Sequence, residues 1–302
     1  GLAAIESSRG CADACDFCVL WRQMGKVDAG RVTPCLRVKS VERLLEEIRI
    51  QTRTFGRRHL GWVDPCFNAH PHRPAVLAEA LLRAGIRVEQ SAWVRADGIV
   101  RDAQSGALST MVRGGLVEMY AGVERADDAG LEAVHKNLTL PVVREAFHLL
   151  AQDHPEVFTL GTFVYGLPGD TPATMRALFR LACELEMDQA FYIPLTPLPG
   201  TPYWDAATWD GTGQDFRAFG FLPRFDAASP HRALERALRR AFLLEWPAAR
   251  LHGYWRGLLQ ARGRRRRVRT RLALRTLGLL AGGPASSGRH GGGMIFPSWY
   301  EG

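Results

Sequence analysis

Between Leu2 and Pro194 the chain alternates six times between a short β-rich run and an amphipathic helical pattern. The β-rich runs are Leu2–Glu6, His59–Val63, Ile86–Val94, Leu116–Val123, Val157–Tyr165 and Gln189–Pro194. Helical periodicity falls between them at Ser40–Phe55, Pro74–Ala84, Asp102–Arg113, Leu140–Asp153 and Thr171–Met187. Such alternation restricts the chain to parallel strands joined by right-handed crossovers. An open sheet, a three-quarter barrel and a closed barrel all satisfy it, and each places its chemistry beyond the carboxyl ends of the strands. Pro141 and Pro172 stand at first-turn positions, where a missing N–H costs nothing. Gly85 and Gly114 stand where left-handed helix caps are expected.

The residues with chemical potential follow those strands. Cys11, Cys15 and Cys18 come after the first, Asp64-Pro65-Cys66 after the second, Arg95 after the third, Glu124 after the fourth and Gly166–Asp170 after the fifth. Three thiols spaced C-x3-C-x2-C suit a cubane iron–sulfur cluster, in which each cysteine ligates one iron and the fourth iron stays open. A structural zinc site prefers paired C-x2-C knuckles, and no second pair is present in the sequence. Other residues read more blandly. Cys66, Cys35 and Cys183 are expected to be small buried hydrophobes, His70 and His72 solvated or capping side chains, and Tyr192, Trp204 and Trp209 packing aromatics.

Four segments together resemble the radical S-adenosylmethionine (radical SAM) family, in particular its cobalamin-associated branch. They are Glu6-Ser7-Ser8-Arg9-Gly10-Cys11 with the cysteine trio, Ala121-Gly122-Val123-Glu124, Gly166-Leu167-Pro168-Gly169-Asp170-Thr171 and Pro197-Leu198-Pro199-Gly200-Thr201-Pro202. Beyond Pro202 the Asp215–Phe221 and His252–Trp255 stretches are loosely similar to the anaerobic magnesium-protoporphyrin IX monomethyl ester oxidative cyclase family.

The resemblance implies a partial (β/α)6 TIM-type barrel over residues 1–205, with a mainly helical extension over 206–260. It implies a 4Fe-4S cluster on Cys11, Cys15 and Cys18 whose open iron chelates S-adenosylmethionine. Reductive cleavage then gives methionine and a 5′-deoxyadenosyl radical that abstracts a substrate hydrogen. Phe17 is expected beside the adenine, Asp64 at the methionine ammonium, Arg95 at its carboxylate and Glu124 at the ribose hydroxyls. Tyr165, Gly166 and Pro168 are expected to border the adenine. The branch implies oxidative ring formation or methyl transfer on a tetrapyrrole-like substrate, with a flavodoxin or ferredoxin as electron donor. Cobalamin is expected only if an upstream domain is missing from this chain. Three departures stand out: Val63-Asp64-Pro65 replaces the usual Gly-Gly-Glu, Arg125 replaces the Ser that often follows the ribose Glu, and Asp170 replaces the Glu of the Gly-Leu-Pro-Gly-Glu-Thr turn.

Composition bounds the rest. With 46% hydrophobic and 23% charged residues over 302 positions, disordered and disulfide-stapled classes are excluded. No apolar run approaches the roughly 20 residues that span a bilayer. A cytoplasmic protein, peripheral to a membrane at most, is expected. Ten Arg and no acid between Arg250 and Arg275 carry the whole of the net +8, leaving the remainder of the chain slightly acidic. The basic, partly disordered tail over 261–302 suits a membrane surface, RNA phosphates or solvent, with solvent favoured and nucleic acid an unlikely partner. The competing readings are an RNA-modifying or RNA-binding radical SAM protein and an inactive barrel paralogue.

Overall fold

The computed structural model describes residues 1–204, 233–238 and 240–241. Six strands form one parallel sheet: β1 (Leu2–Ile5), β6 (His59–Trp62), β7 (Glu89–Val94), β8 (Leu116–Glu124), β9 (Phe158–Tyr165) and β10 (Gln189–Pro194). Their spatial order is their chain order, and β1 and β10 form its two edges. Each crossover therefore steps one strand over, which is the partial (β/α)6 barrel that the family resemblance implies.

Helices α2 (Val41–Arg49), α3 (Arg73–Arg83), α4 (Ala96–Gln104), α5 (Ala107–Arg113), α6 (Asp128–Ala133), α7 (Leu140–Asp153) and α8 (Pro172–Glu184) make the crossovers. Side-chain alternation along the strands separates two faces. Ala92, Val94, Met119, Ala121, Val123, Phe163 and Tyr165 join Leu44, Ile48, Leu77 and Leu178 in the helix-covered core. Burying a side chain the size of Phe163 or Leu77 is worth about 1.5–3 kcal/mol. Tyr120, Phe158, Leu160 and Phe191 gather on the opposite, inner face.

Several local expectations are corrected. The helix expected over Asp102–Arg113 is broken, because Gly106 takes a left-handed φ of 74° between α4 and α5. Helix α2 continues as a π-helical turn over Ile50–Thr54. Gly85 is left-handed as expected, with φ 66°, but Gly114 is helical and the cap conformation falls to Gly115 at φ 104°. A Cβ on Gly115 would lie 1.9 Å from the Val88 carbonyl oxygen, so only glycine fits there.

A segment between the cysteine loop and α2 leaves the barrel. It holds α1 (Leu20–Gln23) and a hairpin of β3 (Lys26–Asp28) and β4 (Arg31–Thr33), and it returns through β5 (Cys35–Val38), antiparallel to β2 (Ser8–Cys11). Ala29 and Gly30, both at positive φ, make the two-residue turn that suits a hairpin. The extension and tail expected over 206–302 lie outside the described residues, apart from the helical piece at 233–241.

Candidate active site

The loop after β1 and β2 is shaped by its backbone before any ligand is considered. Gly10 has φ 97°, and a Cβ there would lie 2.0 Å from the Cys35 carbonyl oxygen. The Cys15 carbonyl accepts from the Cys18 N–H at 3.2 Å and from the Trp21 indole N–H at 3.0 Å. The Asp16 N–H donates to the Val134 carbonyl at 3.1 Å. Phe17 packs against the cluster of Val134, Val164 and Leu167, which places it beside the Gly166–Asp170 turn.

Cys15 is buried, and Cys11 and Cys18 are half-buried. Burial pushes the Cys15 thiol up to about 11 and raises Cys11 as well. A thiol so disfavoured as an anion ionises when a metal replaces its proton. Among the described residues no three His, Cys, Asp or Glu side chains are grouped closely enough for one metal ion.

At the end of β8 the ladder shifts register between Gly122 and Glu124, and Glu124 takes φ 70°. The bulge turns the Glu124 carboxylate inward. Glu124 Oε1 lies 3.5 Å from Lys136 Nζ and 3.5 Å from Thr162 Oγ1. A Cβ on Gly122 would lie 2.2 Å from Glu124 Oε1 and 2.9 Å from Lys136 Nζ, so the glycine leaves the cradle in which the pair sits. Burial pushes the Glu124 carboxyl upward. Burial also works against the Lys136 ammonium, but the Glu124 and Cys15 charges outweigh it and hold Lys136 protonated. Lys136 is in turn the positive charge that most favours the Cys15 thiolate.

Arg95 behaves differently from its expectation. Its Nε and Nη2 donate to the two oxygens of Asp97, each at 3.0 Å, and Nη2 also donates to the Asn137 carbonyl at 3.1 Å. Its Nη1 pairs with Asp13 at 2.8 Å and donates to the Lys136 carbonyl at 3.4 Å. The guanidinium thus makes four hydrogen bonds and two ion pairs. The side chain ties the cysteine loop, through Asp13, to the segment that carries Lys136.

Asp64 is buried beneath the lead-in to the cysteines. It accepts from the N–H and hydroxyl of Ser7 at 2.9 and 2.8 Å, and from the N–H and hydroxyl of Ser8. Arg73 closes the far side with bonds to the Ser7 hydroxyl and carbonyl at 3.1 and 2.9 Å. Asp64 therefore first anchors the chain that leads to Cys11.

Tyr165 points away from the inner face. It is buried in the helix-covered core, and its hydroxyl donates to Glu235 at 3.4 Å. Gly166 and Gly169 form the expected turn, at φ 84° and 86°, with Pro168 exposed between them. Asp170 accepts from the N–H groups of Gly166 and Leu167 at 2.8 and 3.0 Å and pairs with Arg125 at 2.5 Å. Arg125 also donates to the Val164 carbonyl at 3.0 Å. The departures at positions 125 and 170 are thus two halves of one ion pair that holds the turn.

The blander expectations hold in part. Tyr192 stacks on Phe163 with ring centroids 5.3 Å apart. Cys66 is buried against Asn68, its thiol pushed up to about 12 by burial, whereas Cys35 and Cys183 are only half-buried. His70 and His72 are exposed to solvent, and Trp209 lies outside the described residues. The reading from sequence missed Asp13, Lys136 and Thr162. Lys136 alone left a trace, as one of only three lysines.

The pattern of the radical SAM superfamily matches residues 5–182. The chain belongs to this superfamily. Its barrel is that of a radical SAM enzyme. It is similar to an uncharacterised methyltransferase of Pyrococcus horikoshii, 28% identical over 203 residues, which cover 67% of this chain and 41% of the relative. It is also similar to the hopanoid C-3 methylase of Methylococcus capsulatus, 28% identical over 72% of this chain and 39% of the relative. The anaerobic magnesium-protoporphyrin IX monomethyl ester cyclase of Cereibacter sphaeroides is 23% identical over 73% of this chain and 34% of that protein. This radical SAM chain thus spans roughly two fifths or less of the length of these curated relatives.

Among solved structures, the fold resembles the radical SAM methyltransferase TsrM of Kitasatospora setae, with a TM-score of 0.55 and 16% identity over 67% of this chain and 38% of that one. It also resembles the coproporphyrinogen III oxidase HemN of Escherichia coli, with a TM-score of 0.53 and 15% identity over 82% of this chain and 52% of that one. No described helix is long and apolar enough to cross a membrane.

Proposed function

We propose that the chain binds a 4Fe-4S cluster on Cys11, Cys15 and Cys18 and S-adenosylmethionine on the inner face of the barrel, and that it abstracts a hydrogen from an apolar substrate. The observation that carries this reading is the cradle over Gly122, where a buried carboxylate and a buried ammonium lie together beside Cys15. Cluster and S-adenosylmethionine, when bound, supply one-electron reduction and hydrogen-atom abstraction.

The protein's part is to hold and to exclude. Glu124, an acceptor only when ionised, offers its oxygens to ribose hydroxyls. Phe17 and the Gly166–Gly169 turn border the adenine, and the missing Cβ atoms allow close backbone approach. The methionine carboxylate needs a cation with free N–H groups. Arg95 is already held by two carboxylates and two backbone carbonyls, whereas Lys136 has three donors and one long contact to Glu124. We therefore assign the carboxylate to Lys136 and give Arg95 the task of positioning the loop. Asp64 keeps the ammonium only as a secondary candidate.

On the inner face, exposed Trp93 adjoins the cluster of Tyr120, Phe158, Leu160 and Phe191. The Trp93 ring meets Tyr120 edge-on at 5.4 Å. This apolar wall suits a large, flat substrate of tetrapyrrole type. The methyltransferases and the cyclase among its relatives support methyl transfer or oxidative ring formation. Cobalamin is assigned no site among the described residues. A flavodoxin or ferredoxin is the fitting electron source.

Reconstitution without oxygen tests the proposal. About four irons per chain and 5′-deoxyadenosine on reduction are expected, whereas bound zinc, or no metal at all, overturns it. The Lys136→Met variant is expected to keep its iron yet bind S-adenosylmethionine about 10- to 100-fold more weakly, the loss of one charge-assisted pairing. Equilibrium dialysis measures this, and Lys136→Arg should restore most of the affinity. Unchanged binding in Lys136→Met would return the carboxylate to another residue.

A further inference from the structure

We infer that the face made by α1 and the β3–β4 hairpin is the docking surface for an acidic one-electron carrier protein. This inference rests on the cluster proposed above and adds where the electron enters.

The segment between residues 19 and 38 is an excursion from the barrel, and its composition differs from the molecule around it. Arg22, Lys26, Arg31 and Arg37 stand against a single acid, Asp28, whereas the chain outside the Arg250–Arg275 run is slightly acidic overall. All six residues from Lys26 to Arg31 are exposed. Lys26 and Arg31 form no salt bridge among the described residues, and although Asp28 stands cross-strand from Arg31 the segment keeps more positive than negative charge at its surface. Between them in sequence Val27 is 69% exposed, and Leu20 and Val38 of the same segment are exposed as well. Exposed apolar side chains in a segment of net positive charge suit a protein interface with a charged rim.

The excursion is also the part of the surface coupled most directly to the cysteine loop. The Trp21 indole donates to the Cys15 carbonyl at 3.0 Å. The β2–β5 ladder sets Cys35 opposite Cys11. Arg37 bridges the two halves, donating to the Met24 carbonyl at 2.8 Å. A partner seated on this segment is therefore linked through Trp21 and the β2–β5 ladder to the loop that carries the residues assigned to the cluster.

The chemistry selects the partner. The carrier is oxidised by one electron and the cluster reduced by one, with no bond made or broken. A positive face draws an acidic carrier and raises its rate of encounter. RNA is disfavoured because Trp21, the only aromatic residue of the excursion, is buried and offers bases no stacking platform.

The test compares the reconstituted chain with its Lys26→Glu/Arg31→Glu variant, following cluster bleaching by stopped flow. Reduced flavodoxin is expected to reduce the variant at least about tenfold more slowly at low salt. The difference should close toward about 0.5 M salt. Dithionite, too small to need the surface, should reduce both at the same rate, and iron content should match. Oxidised flavodoxin titrated against the cluster-free chain should show the same loss of affinity in the variant. If the chain takes up no iron, the proposed function fails while this titration still judges the surface. Equal flavodoxin rates and affinities overturn the docking surface. So does a result in which only binding of a single-stranded RNA probe is lost.

Discussion

The Cys15→Ala variant, reconstituted without oxygen, is expected to lose the cluster and with it all 5′-deoxyadenosine production, while remaining folded. Cys15 contributes to the fold through its backbone: its carbonyl accepts from Cys18 and from the Trp21 indole, bonds that alanine retains. What alanine lacks is the thiol, the one sulfur of the trio that is buried. A cubane held at two corners in place of three loses a ligand that no neighbour replaces. Iron analysis and product chromatography read the two losses separately. Cys66→Ala is the control. Its thiol lies against Asn68 with its pKa pushed up to about 12, so its loss should leave iron content unchanged. Cleavage of S-adenosylmethionine retained by Cys15→Ala would sink the ligand assignment.

The second large effect is expected at Asp64, and it is one of stability. Asp64→Ala removes the acceptor of four hydrogen bonds from Ser7 and Ser8, two of them from backbone N–H groups with no water to turn to. Each buried donor left unpaired costs about 1–3 kcal/mol. The nearby Arg73, whose guanidinium is bonded to Ser7, loses the negative charge that supports it. A loss of about 3–5 kcal/mol is expected, read as a lower urea midpoint with an unchanged slope. Asp64→Asn, which keeps one oxygen acceptor, should recover part of it. A change below about 0.5 kcal/mol would show that the lead-in to Cys11 is held by something else.

The two expectations separate roles that look alike in the sequence. Both residues stand just beyond a barrel strand, but one is assigned to a ligand and the other braces the loop that presents it. The same division is proposed between Lys136 and Arg95. Both are cations near the cysteines, yet Arg95 is held by two carboxylates and two backbone carbonyls. A pocket of this kind needs rigid supports around the few groups that touch the ligand, since small displacements cost large factors in rate.

By itself the sequence determined the alternation of strands and helices, the order of the strand-end motifs and the spacing of the cysteine trio. Each of these is written in spacing: period 2 or 3.6 for the elements, and three to four residues for the thiols. The tertiary structure alone decided which cation is free, what Asp64 grips, that Arg125 and Asp170 are partners, and that Tyr165 faces the helices. Those pairings join residues 12 to 57 positions apart, brought together only when parallel strands align. A single Lys, Asp or Arg has no periodicity to announce its partner. Its role is set by the donors and acceptors that the closing barrel leaves beside it.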